Sequence, residues 1–436
     1  MSHYKPYPAY KDSGVEWIGL VPEHWKVAQI KRISALNPKK STLSEEKDSL
    51  CTFLPMEKLR TNAITLDETR PIHEVYDGYS YFCDDDILIA KVTPCFENGN
   101  IAVANGLVNG IGFGSTEINV LRVNGKGHNR FLYYRLQEEQ FRTIAKSEMR
   151  GTGGLKRVPT ELFESFTFGL PDTDEQVTIA AALDRETARI DALIQKKTRF
   201  IDLLKEKRQA LITHAVTKGL DPNAKMKDSG VEWIGQVPEH WEVVPSTWLF
   251  VESKERAHED DQHLSATQKY GVISLADYER LEGRQVTHAV KNLEQRKHVE
   301  LDDFVISMRS FQGGIERVKA LGCVRSSYVV IQAGDGADKN YFAYLFKSGS
   351  YIQGLQATSS FIRDGQDLNY GNFRQVRLPK PGSDEQMQIA KFLDQETARI
   401  DALTRTTEQS ITLLKERRAA FITAAVTGQI DLRGKQ

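Results

Sequence analysis

A chain of 436 residues exceeds what one ordinary hydrophobic core organises, so two or more domains are expected. Forty per cent hydrophobic and 27 % charged residues exclude a disordered chain, and a net charge of −1 supplies no general basic excess for gripping polyanions. Binding to phosphate would need local basic patches or charge lent by partners. No run of about eighteen apolar residues exists, and the opening Met-Ser-His-Tyr-Lys-Pro-Tyr-Pro lacks the apolar core of a signal peptide, so no membrane association is expected. Cys51, Cys83, Cys95 and Cys323 form no C-x-x-C pair, which argues against a disulfide framework or a structural zinc and for a reducing cytoplasm.

In chain order, the first legible element is a frame, Lys11-Asp-Ser-Gly-Val-Glu-Trp-Ile-Gly-Leu-Val-Pro-Glu-His-Trp25. Behind it, Asp84-Asp-Asp-Ile-Leu-Ile-Ala90 reads as a short buried strand, and Phe131-Leu-Tyr-Tyr-Arg-Leu136 as a helix packing on it. Lys91 and Thr93 follow the strand; Arg150-Gly-Thr-Gly-Gly-Leu-Lys-Arg157 is a basic, glycine-rich loop. Thr173-Asp-Glu-Gln176 has the pattern of a capping box, and Leu183, Ile190, Leu193, Phe200, Leu204 and Leu211 recur at helical spacings as far as the stop at Gly219. Residues 174–217 would make a helix of 44 residues, about 66 Å long.

The chain then begins again. Lys227 to Trp241 repeats the frame with one residue changed in fifteen. Asp302-Asp-Phe-Val-Ile-Ser307 predicts the second strand, followed by Arg309, Ser310 and Gln312, and Tyr341-Phe-Ala-Tyr-Leu-Phe346 predicts the second helix. Arg363-Asp-Gly-Gln366 is a further polar loop, after which Ser383-Asp-Glu-Gln386 opens the second long helix. Leu393, Ile400, Leu403, Ile411, Leu414 and Phe421 form its stripe, and Gly428 its stop. The two helical blocks stand 210 positions apart without interruption. So narrow an apolar stripe needs a partner, and the other copy is the obvious one; burial of each helix on its own domain is the alternative. Leu183, Ile190, Leu193, Leu204 and Leu211 would pair with Leu393, Ile400, Leu403, Leu414 and Phe421.

Between the repeated blocks, residues of about 30–165 and 245–375 share only local patterns. A near-identical frame around divergent mixed α/β inserts describes one scaffold presenting two surfaces. Two copies of an enzyme would repeat their catalytic residues instead. Trp17, Trp25, Trp233 and Trp241 lie in the frame, outside the inserts, which favours a structural role over base stacking; His24 and His240 share that reading.

The frame, the Leu-Pro followed by Asp-Glu-Gln and a long helix, and Asp303-Phe-Val-Ile-Ser-Met-Arg-Ser-Phe-Gln-Gly-Gly-Ile-Glu316 together resemble the specificity subunits of type I restriction–modification enzymes. Asp86-Ile-Leu-Ile-Ala-Lys-Val-Thr-Pro-Cys-Phe-Glu-Asn-Gly99 plays the same part in the first insert. The resemblance implies two mixed α/β target-recognition domains in tandem, joined by two antiparallel coiled-coil helices. The expected division is 1–170 and 223–380 for the recognition domains, with 171–222 and 381–436 as the helical spacers. Implied partners are double-stranded DNA, two methyltransferase subunits and, as a further possibility, motor-nuclease subunits.

Base reading needs donors and acceptors on loops that can enter a groove. The candidates are Lys91, Thr93, Arg150, Thr152, Lys156 and Arg157 in the first insert, and Arg309, Ser310, Gln312, Arg363 and Gln366 in the second. Each competes with the plainer reading of a solvated turn. Catalytic machinery is not expected: there is no G-x-x-x-x-G-K-[ST] loop, Asn37-Pro38-Lys39-Lys40 is not an amino-methyltransferase motif, and Glu252-Ser-Lys254 has no Pro-Asp ahead of it at nuclease distance. No residue group has metal-ligand spacing, and no cofactor is expected. The competing function is a non-catalytic coiled-coil scaffold whose variable domains bind protein.

Overall fold

Asp85 and Asp302 both adopt the left-handed backbone, at φ 70° and 73°, one residue before the aspartate that opens each buried strand. The turn lets the next side chain fold back on the chain. Asp86 accepts from the Cys83 amide (2.7 Å), and Asp303 from that of Glu300 (3.0 Å). The strands Ile87–Ala90 and Phe304–Ile306 follow, every side chain buried, as their unbroken apolar sequence requires.

The computed structural model describes residues 4–434 apart from 44, 153, 284, 286–294, 308–309 and 359–368. The chain divides into two units, Met1–Lys197 with Gln409–Gln436, and Thr198–Glu408. Each of the two long helices therefore contributes to both units.

In the first unit, an antiparallel sheet runs in the order Ile101–Val103, Ile87–Ala90, Ile118–Val123, Ser34–Leu36. The second unit has the same order in Glu316–Arg317, Phe304–Ile306, Val329–Ala333, Phe250–Ser253. A further sheet in the first unit joins Thr69–Pro71, Leu50–Leu54, Ile111–Gly114 and Ser80–Cys83. The second unit breaks this into two ladders, Leu264–Thr267 with Gly271–Ser274 and Lys297–Val299 with Gly322–Val324. The two inserts thus share a fold, as the strand-then-helix order predicts.

The likeness extends farther than the sequence suggests. Helices Asn129–Arg135 and Glu139–Ser147 reappear at Lys339–Leu345 and Gly349–Ala357, still 210 positions on. Strand Thr167–Leu170 closes on Lys26–Gln29, and Arg377–Lys380 closes on Glu242–Pro245.

The long helices span Thr173–Lys218 and Ser383–Val426, 46 and 44 residues. The first ends in Gly219 at φ 75°; just past the second, Gly428 at φ 76° lies so close to Pro22 and Trp25 that a Cβ would stand 2.5 Å from the proline ring. Asp191 meets Arg418 (3.0 Å) and Glu175 meets Arg433 (3.9 Å) in the first unit, so the segments there run antiparallel. In the second unit Arg208 meets Asp401 (3.2 Å), the same ion pair with the two helices exchanged, since 401 lies 210 after 191 and 208 lies 210 before 418.

Two sequence expectations are corrected here. The glutamines do not complete capping boxes. Gln176 and Gln386 are fully buried and bond carbonyls and an insert amide rather than the cap amide; in the first helix Asp172 accepts from the Glu175 amide (2.8 Å) instead. The apolar stripe is also narrower than the spacing implies, because Leu193 and Leu403 remain 40 % and 44 % exposed. Ile190, Leu204 and Ile400 are buried, and Leu211 and Leu414 are half-buried. Leu183 and Phe421 join the main core of the first unit, and Leu393 that of the second, alongside insert and frame residues. Towards their ends the helices are buried largely by their own units. Among the described residues, no helix is long and apolar enough to cross a membrane.

Candidate nucleic-acid interface

Two devices hold each insert on the repeated helix, and a third ties the repeated frame to that helix. Gln176 accepts from the His128 amide (2.9 Å) and donates to the Pro171 carbonyl (3.0 Å); Gln386 accepts from Asp338 (2.8 Å) and donates to Pro381 (2.9 Å). The Tyr134 hydroxyl donates to Asp184 (2.6 Å), as Tyr344 does to Asp394 (2.7 Å). Third, Glu175 receives Tyr7 (2.7 Å) and His24 (2.8 Å), while Glu385 receives His240 and the Trp241 indole (both 2.9 Å). Trp25 and Trp241 are wholly buried, which agrees with their structural reading; Trp17 is 48 % exposed. Sequence reasoning missed these ties. Their signal was a tyrosine, an aspartate and a glutamine recurring at one offset.

On this base, the first unit brings its candidates together. Arg150–Thr152 and Leu155–Arg157 pair as an exposed hairpin, with Arg150 opposite Arg157. Thr93 ties the post-strand loop to it: its hydroxyl donates to the Gly154 carbonyl (2.7 Å) and accepts from the Lys156 amide (3.0 Å). Its own amide donates to the Lys156 carbonyl (2.9 Å), and Val158 donates to the Lys91 carbonyl (2.8 Å). Residues 61 or more positions apart in sequence thereby form one surface.

The electrostatics sort the cations on it. Glu117 is gripped by the fork of Arg157 at 2.6–3.1 Å, and that hydrogen bonding holds its carboxyl below the usual range. Arg150 and Lys156 are exposed and have no ion pair among the described residues. Thr93 is spent on backbone partners, so its role is to shape the hairpin. Beside the loop opens a concavity of about 840 Å³, whose lining includes Arg60, Thr61, Asn98 and Asn100. Sequence reasoning did not single these out, since they are scattered over two loops.

In the second unit, Ser310 is corrected: it is 1 % exposed and its hydroxyl accepts from the Ser307 amide (2.9 Å), which makes it a turn former. Gln312 is exposed on the short helix Ser310–Gly313. Arg309, Arg363 and Gln366 lie outside the described residues. One group of metal-capable side chains is present among the described residues, Glu255, His258 and His298; its members are too dispersed for the spacing search to have found it.

Comparison with known proteins places this geometry. Residues 22–201 match the family model described as the type I restriction modification DNA specificity domain. Over that stretch, somewhat under half of its length, the chain is similar to type I specificity subunits. The EcoEI specificity subunit of Escherichia coli is 30 % identical over 42 % of this chain and 31 % of its own length. The EcoAI subunit of the same organism is 29 % identical over 53 % and 39 %. The alignment thus spans about a third of each of these two curated relatives. The putative MjaX specificity subunit of Methanocaldococcus jannaschii aligns over 95 % of this chain and 96 % of its own, at 20 % identity. Among solved structures, a chain from a study of assembly and conformational transition in a type I R-M system covers 94 % of this chain and 99 % of its own, with TM-score 0.71 and 15 % identity. The HsdS subunit of Thermoanaerobacter tengcongensis covers 94 % and 98 %, with TM-score 0.55 and 15 % identity. Both share the fold: two mixed α/β domains in tandem and two long helices.

Proposed function

We propose that this chain reads a bipartite site on double-stranded DNA, one half-site per insert, and directs two methyltransferase subunits, and restriction subunits where present, to it. In this reading residues 1–170 and 223–380 are the recognition domains, 171–222 and 381–436 the helical spacers, and the chain performs no chemistry. The observation that carries the proposal is the duplicated set of insert-to-helix hydrogen bonds beneath two divergent surfaces. Such a design conserves the mounting and varies what is mounted. The free Arg150 and Lys156 suit phosphate positioning, and the Gln312 amide suits an adenine edge. Near-neutral overall charge makes the methyltransferase the expected source of much of the phosphate-binding charge. The cysteines fit work in the reducing cytoplasm. No observation favours the protein-binding scaffold.

The test is to purify the full chain with its methyltransferase and to map methylated sites genome-wide in cells carrying both. A split motif with a fixed unread spacer is expected. Methylation without sequence preference, or a complex that ignores this chain, would overturn the proposal.

A further inference from the structure

In the second unit, the segment after strand Phe250–Ser253 runs beside Lys297–Val299. The His298 amide donates to the Glu255 carbonyl (3.0 Å), and the Ala257 amide to the Arg296 carbonyl (3.0 Å). This pairing places the imidazoles of His258 and His298 face to face, with centroids 4.1 Å apart and planes within 22°. His258 Nε2 lies 3.0 Å from Glu255 Oε1, and one ligand atom from each of Glu255, His258 and His298 falls within 4.8 Å of the others.

The surroundings prepare His298 as a ligand. Its ring is buried, and Nδ1 lies 2.8 and 3.0 Å from the two oxygens of Asp261, itself nearly inaccessible. A carboxylate on Nδ1 orients the ring, and a cation bound at Nε2 would take the place of a proton there. Glu300 lies on that Nε2 side at 3.3 Å. Three carboxylates thus surround two stacked rings.

We propose that Glu255, His258 and His298 bind a divalent transition-metal ion of the zinc type, with Asp261 positioning His298. Two imidazoles and a carboxylate suit zinc, whose bonds of about 2.0–2.2 Å require the ligand atoms to close by about 1 Å. The exposed Glu255 and His258 side chains have room to do so. The ion pins the segment 255–261 to strand Lys297–Val299. Among the described residues, no such group occurs in the first unit. The binding surface of the second insert alone would then depend on metal.

The test uses the full chain, stripped with a chelator, dialysed and titrated with Zn2+ alone by calorimetry, with bound metal counted by mass spectrometry. One equivalent is expected, together with a rise in thermal midpoint. Both Glu255→Gln and His258→Ala alter exposed side chains, so they should fold normally by circular dichroism while weakening Zn2+ binding at least tenfold. Asp261→Asn, which disturbs only the positioning, should weaken it about 10–100-fold. Absence of binding by the stripped wild-type chain, or wild-type affinity in folded His258→Ala, would overturn the site.

Discussion

Arg157 and Glu117 show why residue type alone could not separate phosphate-gripping cations from structural ones. In sequence the four cations Lys91, Arg150, Lys156 and Arg157 look equivalent. In the structure Glu117, 40 positions from Arg157, neutralises one of them. If the hairpin faces DNA, Arg150→Ala and Lys156→Ala should each weaken binding uniformly across sequences and flatten the slope of log affinity against log salt by about 1. Glu117→Gln should act oppositely, freeing Arg157 and tightening binding at low salt. A salt titration of all three variants by fluorescence anisotropy checks this. Unchanged slopes in the two alanine variants, with the fold intact, would remove the hairpin from the interface.

The elements were legible where their signal is local and hidden where it is tertiary. Both buried strands, both short helices and both long helices follow from runs and spacings within a few residues. The function of Gln176 and Gln386 does not. Thr-x-x-Gln and Ser-x-x-Gln match a capping box, but the pattern cannot register a loop about 50 residues upstream that offers better-placed donors and acceptors. For the same reason Leu193 and Leu403 fit the spacing and yet stay exposed: where neighbours pack on a helix decides which residues are buried. Gln386→Ala would strand the Asp338 amide and the Pro381 and Gly336 carbonyls in a buried site. It should cost about 2–4 kcal/mol in a denaturant melt, from one to three kcal/mol for each unsatisfied group that water fails to reach. Tyr344→Phe loses the hydrogen bond to the Asp394 carboxylate and a longer one with the Thr397 hydroxyl (3.2 Å), and should cost about 1–2 kcal/mol. Equal losses from both would show that the glutamine clamp is not the stronger tie.

At the scale of the whole molecule, the repeat states what can be exchanged. The largest apolar cluster of the first unit runs from Tyr7 to Leu432 without a member from Thr198–Glu408, and that of the second lies wholly within 198–408. Each insert is therefore stabilised by its own unit, and replacing one removes nothing from the core of the other. The ties that a graft must preserve include a tyrosine at position 134 for Asp184 and a backbone amide at 128 for Gln176. Both sit inside the exchanged segment, so the donor must supply them. On the proposed function, we expect a chain with residues 30–165 taken from another family member that has the tyrosine to fold, to keep a methyltransferase partner and to direct methylation to a site altered in one half only. A donor without the tyrosine should give the same altered half-site from a protein less stable by about 1–2 kcal/mol, because the loss falls on the mounting and spares the reading surface. Methylation mapping and a melt of each chimera measure the two effects separately. A graft that changed both half-sites would mean that the inserts do not read independently, and the duplicated mounting would then need another explanation.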